Sequence, residues 1–300
     1  MKRVLVTGID GFTGVYLAEV LVQAGWQVWG IGQATTSCVT ANYRCVDMLD
    51  RLALRQAIKD IAPNAVIHLA GVSAPTHGNV DWLYRVNITA CRYLLEALAA
   101  AELSLDAVVL ASSAYVYGSV TEGVMSETSP LNPGNDYAVS KLAMEHMAKL
   151  WLPKLPIVVA RPFNYTGIGQ TEAFLLPKIV AHFKRAEPVI ELGNTDISRD
   201  FSDVRAVAQA YSRLLTARPV GEVVNICSGK AISIAEILAM AEQITGHHIT
   251  VKTNPAFVRT NDVQSLWGDP TKLRALIGAW EPIALFDTLT WMLDGSSHEL

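Results

Sequence analysis

The stretch "RVLVTGIDGFTGVYLAEVLVQAG", residues 3–25, decides the fold. A short apolar run through Val4, Leu5 and Val6 meets a glycine-rich turn, and an amphipathic helical pattern follows. Gly8, Gly11 and Gly14 fall where small residues permit a tight turn and let backbone approach a pyrophosphate. The N–H groups and positive dipole end of the next helix would meet its charge. Three glycines alone suit any close-packed turn. A strand directly before them and a helix directly after make nucleotide binding the stronger reading.

Working outward, the same rhythm recurs. "QVWGIG", "AVIHLAG", "DAVVLASS", "IVVARPFN" and "VVNIC" are apolar runs with almost no polar alternation. Helical patterns such as "NVDWLYRVNITACRYLLEALAAAE" and "DYAVSKLAMEHMAKLW" stand between them. Strands buried on both faces and alternating with helices imply an α/β chain with a Rossmann-type, doubly wound parallel sheet. After Arg161 the rhythm changes: residues 163–200 are richer in Gly, Pro and mixed charge, and Pro255, Pro270 and Pro282 punctuate short elements. The expected organisation is a dinucleotide-binding lobe, 1–162 plus about 202–227, and a smaller α/β C-terminal substrate lobe, 163–201 plus 228–300.

The bulk numbers narrow the function classes. The chain has 300 residues, 51% of them hydrophobic and 17% charged, so a sizeable core is expected and disorder is not. A net charge of −4 offers no basic excess to meet nucleic acid or an anionic membrane. No apolar stretch approaches the ~20 residues of a membrane span, and the start "MKRVLVTG" is too short for a signal peptide, so a cytoplasmic place is expected. Cys38, Cys45, Cys91 and Cys227 lack metal-like spacing, and His247 and His248 read as turn residues after Gly246. No metal site is expected.

Two motifs carry chemistry. "YAVSK" sets Tyr137 and Lys141 four apart, on one face of a helix that "PGND" would cap through Asn135 or Asp136. A nearby ammonium favours a phenolate, which would make Tyr137 a proton donor or acceptor near neutrality. "LASSAYVYGS", residues 110–119, ends a buried strand in a row of hydroxyls: Ser112, Ser113, Tyr115 and Tyr117. Strand ends of this kind are where open α/β sheets bind ligands. At the end of the second strand, Gly32 and Gln33 stand where NAD sites usually carry an acid. NADP(H) is therefore expected ahead of NAD(H), with Gln33, Thr35 and Thr36 as donors. Asp47 would either contact the adenine or cap a helix.

The set "TGIDGFTG", "HLAG", "SSAYVYG", "YAVSK" and "RPFN" resembles the extended short-chain dehydrogenase/reductases that act on nucleotide sugars. "RPFNYTGIGQ", "SRDFSDVRAVAQAY", "EVVNICSGK" and "VRTNDVQSLWGD" are similar to GDP-mannose 4,6-dehydratases and, more closely, to GDP-4-keto-6-deoxy-D-mannose reductases. The resemblance implies a catalytic set of Ser113, Tyr137 and Lys141, with Ser113 bonding the sugar C4 oxygen. The expected cofactor site adds Phe12, Asp47, Met48, Leu69 and Ala70 to the glycines, Gly32 and Gln33. Ser112, Asn87, Asn164, Lys178, Arg199, Arg259 and Asp262 are the expected substrate residues. Lys178 and Arg259 would reach the nucleotide base and the diphosphate, and Arg199 reads equally as a salt-bridge residue.

The related dehydratases carry acidic residues just after the catalytic Ser/Thr, where this chain has Ala114 and Tyr115. Losing an acid–base role costs about 10²–10⁴ in rate, so dehydration is not expected. What remains suits reduction of a nucleotide-linked 4-keto-6-deoxy sugar. The expected case is GDP-4-keto-6-deoxy-D-mannose going to GDP-D-rhamnose. A 4-epimerase with retained NAD and a non-catalytic NADP-sensing regulator are the alternatives. Apolar residues beyond one stripe on the helices at about 80–101 and 135–151 (Trp82, Leu83, Tyr93, Leu94, Leu142, Met144, Met147 and Leu150) predict a homodimer.

Overall fold

A computed structural model describes residues 1–37, 39–40, 42–73, 79–118, 123–257 and 264–295. Its centre is a seven-stranded parallel sheet: β1 (Arg3–Thr7), β2 (Gln27–Gly32), β3 (Tyr43–Cys45), β4 (Ala65–His68), β5 (Ala107–Ala111), β6 (Ile157–Pro162) and β7 (Val223–Ile226). The strand order is β7-β6-β5-β4-β1-β2-β3. Every pairing in it is parallel. Successive residues serve two cores. Val4, Val6, Ile67, Val109 and Val158 face one, and Leu5, Val66, Val108 and Ile157 the other. That two-sided burial is why the strand sequences show no polar alternation.

The helices are α1 (Phe12–Gln23), α2 (Arg51–Ile61), α3 over 80–100, α4 (Asp136–Lys149), α5 (Leu175–Lys184), α6 (Val204–Ala217), α7 (Ile234–Thr245), α8 (Thr271–Ile277) and α9 (Leu285–Asp294). α1 and α6 pack together on one face of the sheet, and α2, α3 and α4 cover the other. α2 buries Leu54, Ala57, Ile58 and Ile61, a helical stripe, and Asp50 caps it by accepting from the Leu52 and Ala53 N–H groups at 3.1 and 3.0 Å. Asp47, weighed above as a cap, does not fill that role. α3 is not uniform. Val80–Tyr84 and Cys91–Ala100 are α-helical, and Arg85–Ala90 between them is a π-helical turn.

A smaller core forms where α5, α7 and α9 enclose the parallel pair Val189–Leu192 and Thr250–Thr253. Ile179, Ile190, Ile237 and Leu289 lie at its centre. α7 begins with a reciprocal cap between Ser233 and Glu236. The chain passes between the two cores more than once. α6 and β7 return to the large sheet after α5, and Leu273 and Trp280 are buried there too, although the expected boundary placed them in the second lobe. Trp280 donates from Nε1 to the Ala206 carbonyl at 3.0 Å.

Register lines up the carboxyl ends of the strands. Thr7 pairs with Ile31 and His68, His68 with Leu110, and Ala111 with Ala160. The strand order reverses at β1, and it is outside such a switch point that open α/β sheets bind ligands.

Candidate active site

Above that row of strand ends runs a cleft of about 1850 Å³, between the large sheet and the smaller core. The glycine-rich turn forms one wall. Gly8 has φ +73°, and a Cβ there would lie 2.9 Å from the Ala70 backbone. At Gly14 a Cβ would lie 2.3 Å from the Ile9 carbonyl, so helix and turn can meet only without a side chain. Gly11 caps α1 with no side-chain hydrogen bond and lines the cleft. A first turn with no side-chain cap, facing a cleft, fits the pyrophosphate of a dinucleotide. Phe12 stacks on Tyr165, centroids 6.0 Å apart, while Thr13 Oγ1 lies 2.8 Å from Tyr165 Oη. Both pin the turn to the strand end beyond β6. Leu69 lines the cleft, and the Ala70 N–H donates to Thr7 Oγ1 at 3.3 Å.

Ser113, Tyr137 and Lys141 converge on the cleft. Asn135 caps α4, accepting from the Ala138 N–H at 2.9 Å, and so starts the helix that presents Tyr137 and Lys141 one turn apart. Ser113 is buried and caps a short 3₁₀ turn, Ala114–Tyr117. Lys141 donates to the Ala111 carbonyl at 2.8 Å, and its Nζ lies 5.9 Å from the Tyr137 ring centroid. Burial brings the Lys141 pKa down to about 8. Burial also pushes the Tyr137 phenol above its ordinary range, and its hydrogen bond with Ser113 pulls only partly the other way. Contrary to the expected lowering by Lys141, burial governs, and the phenol is held protonated.

Two buried networks brace this set. Asn87, in the π-helical turn, accepts from the Val72 N–H at 2.8 Å and donates to the Val72 carbonyl at 3.1 Å and to Ser140 Oγ at 2.9 Å. Ser140 in turn donates to the Tyr137 carbonyl at 2.7 Å. Ser112 donates to Glu145 at 2.5 Å, and Glu145 receives both Nε and Nη2 of Arg161 at 2.9 and 2.6 Å. Arg161 also donates to Tyr117, which donates to Asn225. Ser112 lines the cleft, yet its hydroxyl is committed to this ion pair.

The opposite wall comes from the smaller lobe. Asn164, Lys178 and Arg199 all line the cleft. Asn164 donates to the Asp200 carbonyl at 3.2 Å, Lys178 to the Glu191 carbonyl at 2.7 Å, and Arg199 to the Ser198 carbonyl at 2.8 Å. Phe257 was not anticipated. Its ring is exposed, lines the cleft and lies 4.6 Å from Lys178 Nζ. Arg259 and Asp262 lie outside the described residues.

At the cofactor's expected adenosine end, Gly32 closes β2 and Gln33 is exposed. Asp47 is exposed and accepts from the Leu49 N–H at 2.9 Å, while Met48 is buried in the core beneath. The expectation of NADP(H) rested on the want of an acid here. The fold supplies one from elsewhere: Asp10 Oδ2 would lie only 2.7 Å from a Cβ on Gly32. Asp10 was overlooked because it sits in the glycine turn, not on the second strand. Among the described residues, no group of three or more His, Cys, Asp or Glu side chains could hold a metal ion. No helix there is long and apolar enough to cross a membrane.

The family model described as GDP-mannose 4,6 dehydratase matches residues 5–292. GDP-6-deoxy-D-talose 4-dehydrogenase of Aggregatibacter actinomycetemcomitans is 31% identical, over 92% of this chain and 91% of its own. GDP-6-deoxy-D-mannose reductase of Pseudomonas aeruginosa is 32% identical, over 94% and 92%. A crystal structure from Burkholderia cenocepacia J2315, provisionally described as an epimerase, is 50% identical with a TM-score of 0.93, covering 98% of this chain and 97% of that one. MoeE5 in complex with UDP-glucuronic acid and NAD is 28% identical with a TM-score of 0.88, over 99% and 100%. RMD from Pseudomonas aeruginosa complexed with NADPH is 30% identical with a TM-score of 0.82, over 98% of each chain. With its sheet order, glycine turn and Tyr137–Lys141 helix, the chain belongs to the GDP-mannose 4,6 dehydratase family, within the NAD(P)-dependent extended short-chain dehydrogenase/reductases.

Proposed function

We propose that this enzyme reduces the C4 ketone of a nucleotide-linked 4-keto-6-deoxy sugar, with the GDP-linked hexose as the expected substrate. One observation carries the reading. Ser113, Tyr137 and Lys141 share the cleft, whereas among its described lining residues the one carboxylate is Asp136, which accepts from Tyr84 at 2.9 Å. The positions after Ser113 hold buried Ala114 and the aromatic Tyr115. Proton transfers at C5 and C6, which dehydration requires, have no carboxylate there to serve them. The two GDP-sugar relatives, one named a 4-dehydrogenase and the other a reductase, are named for 6-deoxyhexoses that differ in configuration at C4. One 4-keto sugar underlies both.

A bound reduced nicotinamide supplies the hydride. Ser113 Oγ holds and polarises the ketone oxygen. Tyr137, protonated in its buried place, gives that oxygen a proton from Oη. The Lys141 ammonium then stabilises the phenolate left behind. Asn87 and Ser140 fix the backbone at Tyr137. Lys178, Arg199 and Phe257 offer two cations and a ring to the nucleotide end.

The test follows reduced-nicotinamide absorbance beside product mass. The 4-keto-6-deoxy sugar nucleotide should consume one reduced cofactor per 6-deoxyhexose formed, and GDP-mannose with oxidised cofactor should give little 4-keto product. Tyr137→Phe should lower turnover by about 10²–10⁴ with cofactor binding retained. Robust dehydration of GDP-mannose would overturn the reading. The Burkholderia likeness favours one alternative, 4-epimerisation. That reaction inverts C4 with no net loss of reduced cofactor, so the same measurement separates the two.

A further inference from the structure

We propose that Asp10 reads the adenosine ribose of the cofactor and makes the enzyme prefer NAD(H) to NADP(H). The inference rests on the cleft being a nicotinamide-dinucleotide site, and it replaces the expectation drawn from Gly32 and Gln33 alone.

The placement comes from three elements. Asp10 lies in the turn between β1 and α1, next to Gly11, which lines the cleft. Gly32 ends β2, the strand beside β1 in the sheet. A Cβ on Gly32 would meet Asp10 Oδ2 at 2.7 Å and Tyr43 Oη at 2.6 Å, so glycine is what admits both groups. Ser37 donates to Asp10 Oδ1, which fixes the carboxylate from the loop after β2. Tyr43 donates to the Ala34 carbonyl at 3.0 Å, which holds the same loop. Burial, and then the Asp10 carboxylate, push the Tyr43 phenol up to about 12, as expected of groups in contact.

The chemistry follows from that position. A carboxylate has only acceptor lone pairs. Vicinal ribose hydroxyls are donors and pair with it. A 2′-phosphate carries negative charge and acceptor oxygens, so it meets repulsion and finds no donor in Asp10. A cation could offset this. Arg44 is the only lysine or arginine between residues 30 and 48. Its guanidinium lies 5.3 Å from the Trp29 ring centroid and donates to the Tyr43 carbonyl at 3.1 Å. Among the described residues, no salt bridge pairs the Asp10 carboxylate with it or with another cation.

The test measures binding on the full chain without sugar, by fluorescence titration and by thermal shift with NADH and NADPH. The wild type should bind NADH at least tenfold tighter than NADPH. Asp10→Asn keeps the shape, removes the charge and turns one acceptor oxygen into a donor, and Asp10→Ser shortens the side chain to a single hydroxyl. Both variants should bring the two affinities within about threefold, chiefly by tighter NADPH binding. A variant that merely loosened the turn would weaken both cofactors together. Equal wild-type affinities, or an unchanged ratio in both variants, would overturn the role of Asp10 while leaving the reductase intact. Binding of neither cofactor would overturn the dinucleotide reading and this inference with it.

Discussion

His68 shows how a single buried residue sets a pH limit. It is fully enclosed at the end of β4, with Nδ1 2.7 Å from Thr7 Oγ1. Burial, and then the nearby Lys141, hold its pKa down to about 3. The unfolded chain protonates an ordinary histidine below about 6.5. Between those values the unfolded state binds a proton that the folded state refuses, so stability falls as pH falls. Urea unfolding should show the wild type losing about 2–3 kcal/mol more than His68→Asn between pH 6.5 and 4.5. Parallel losses would show that His68 is not held neutral. Residues whose placement depends on local spacing were legible in the sequence: Tyr137 and Lys141 one helical turn apart, Ser113 at a strand end. Asp10 beside Gly32, and Arg161 locked to Glu145, were not. Their partners lie 22 and 16 positions away on other elements, and no periodicity records such a meeting.

Elements were legible where apolar periodicity was strong. Six of the seven strands, all but the short β3, and the helices α1, α3 and α4 stand where their apolar patterns put them. The π-helical turn in α3 left no such trace, because a single wide turn barely disturbs an apolar stripe. It nevertheless carries Asn87, which ties the loop after β4 to α4. Asn87→Ala would leave the buried Val72 backbone groups without this partner. We expect a loss of about 2–3 kcal/mol in stability. Cofactor affinity should weaken as well, since Gly71 and Val72 line the cleft. Denaturation and cofactor titration on one preparation check both effects. A stability loss with unchanged affinity would limit Asn87 to a scaffolding role.

At the scale of the whole molecule, the expected homodimer face is narrower than its sequence suggests. Leu83, Leu94 and Met144 are buried within their own chain and have nothing to offer a partner. Trp82, Tyr93 and Met147 are half-buried, and Val80, Val139 and Leu150 are exposed, Leu150 at 79%. α3 and α4 already pack side by side, so a second copy laid on them would make a four-helix contact. Light scattering at micromolar protein should give the dimer mass, and Leu150→Lys with Val139→Lys should shift it toward the monomer. A monomeric wild type would refute the proposal. Another property follows from the repeated passage of the chain between its two cores. Several strands of backbone, not one, join the halves, and they leave no cut point that separates them. A single cut in the chain would therefore not yield a cofactor half and a sugar half, each with its core complete.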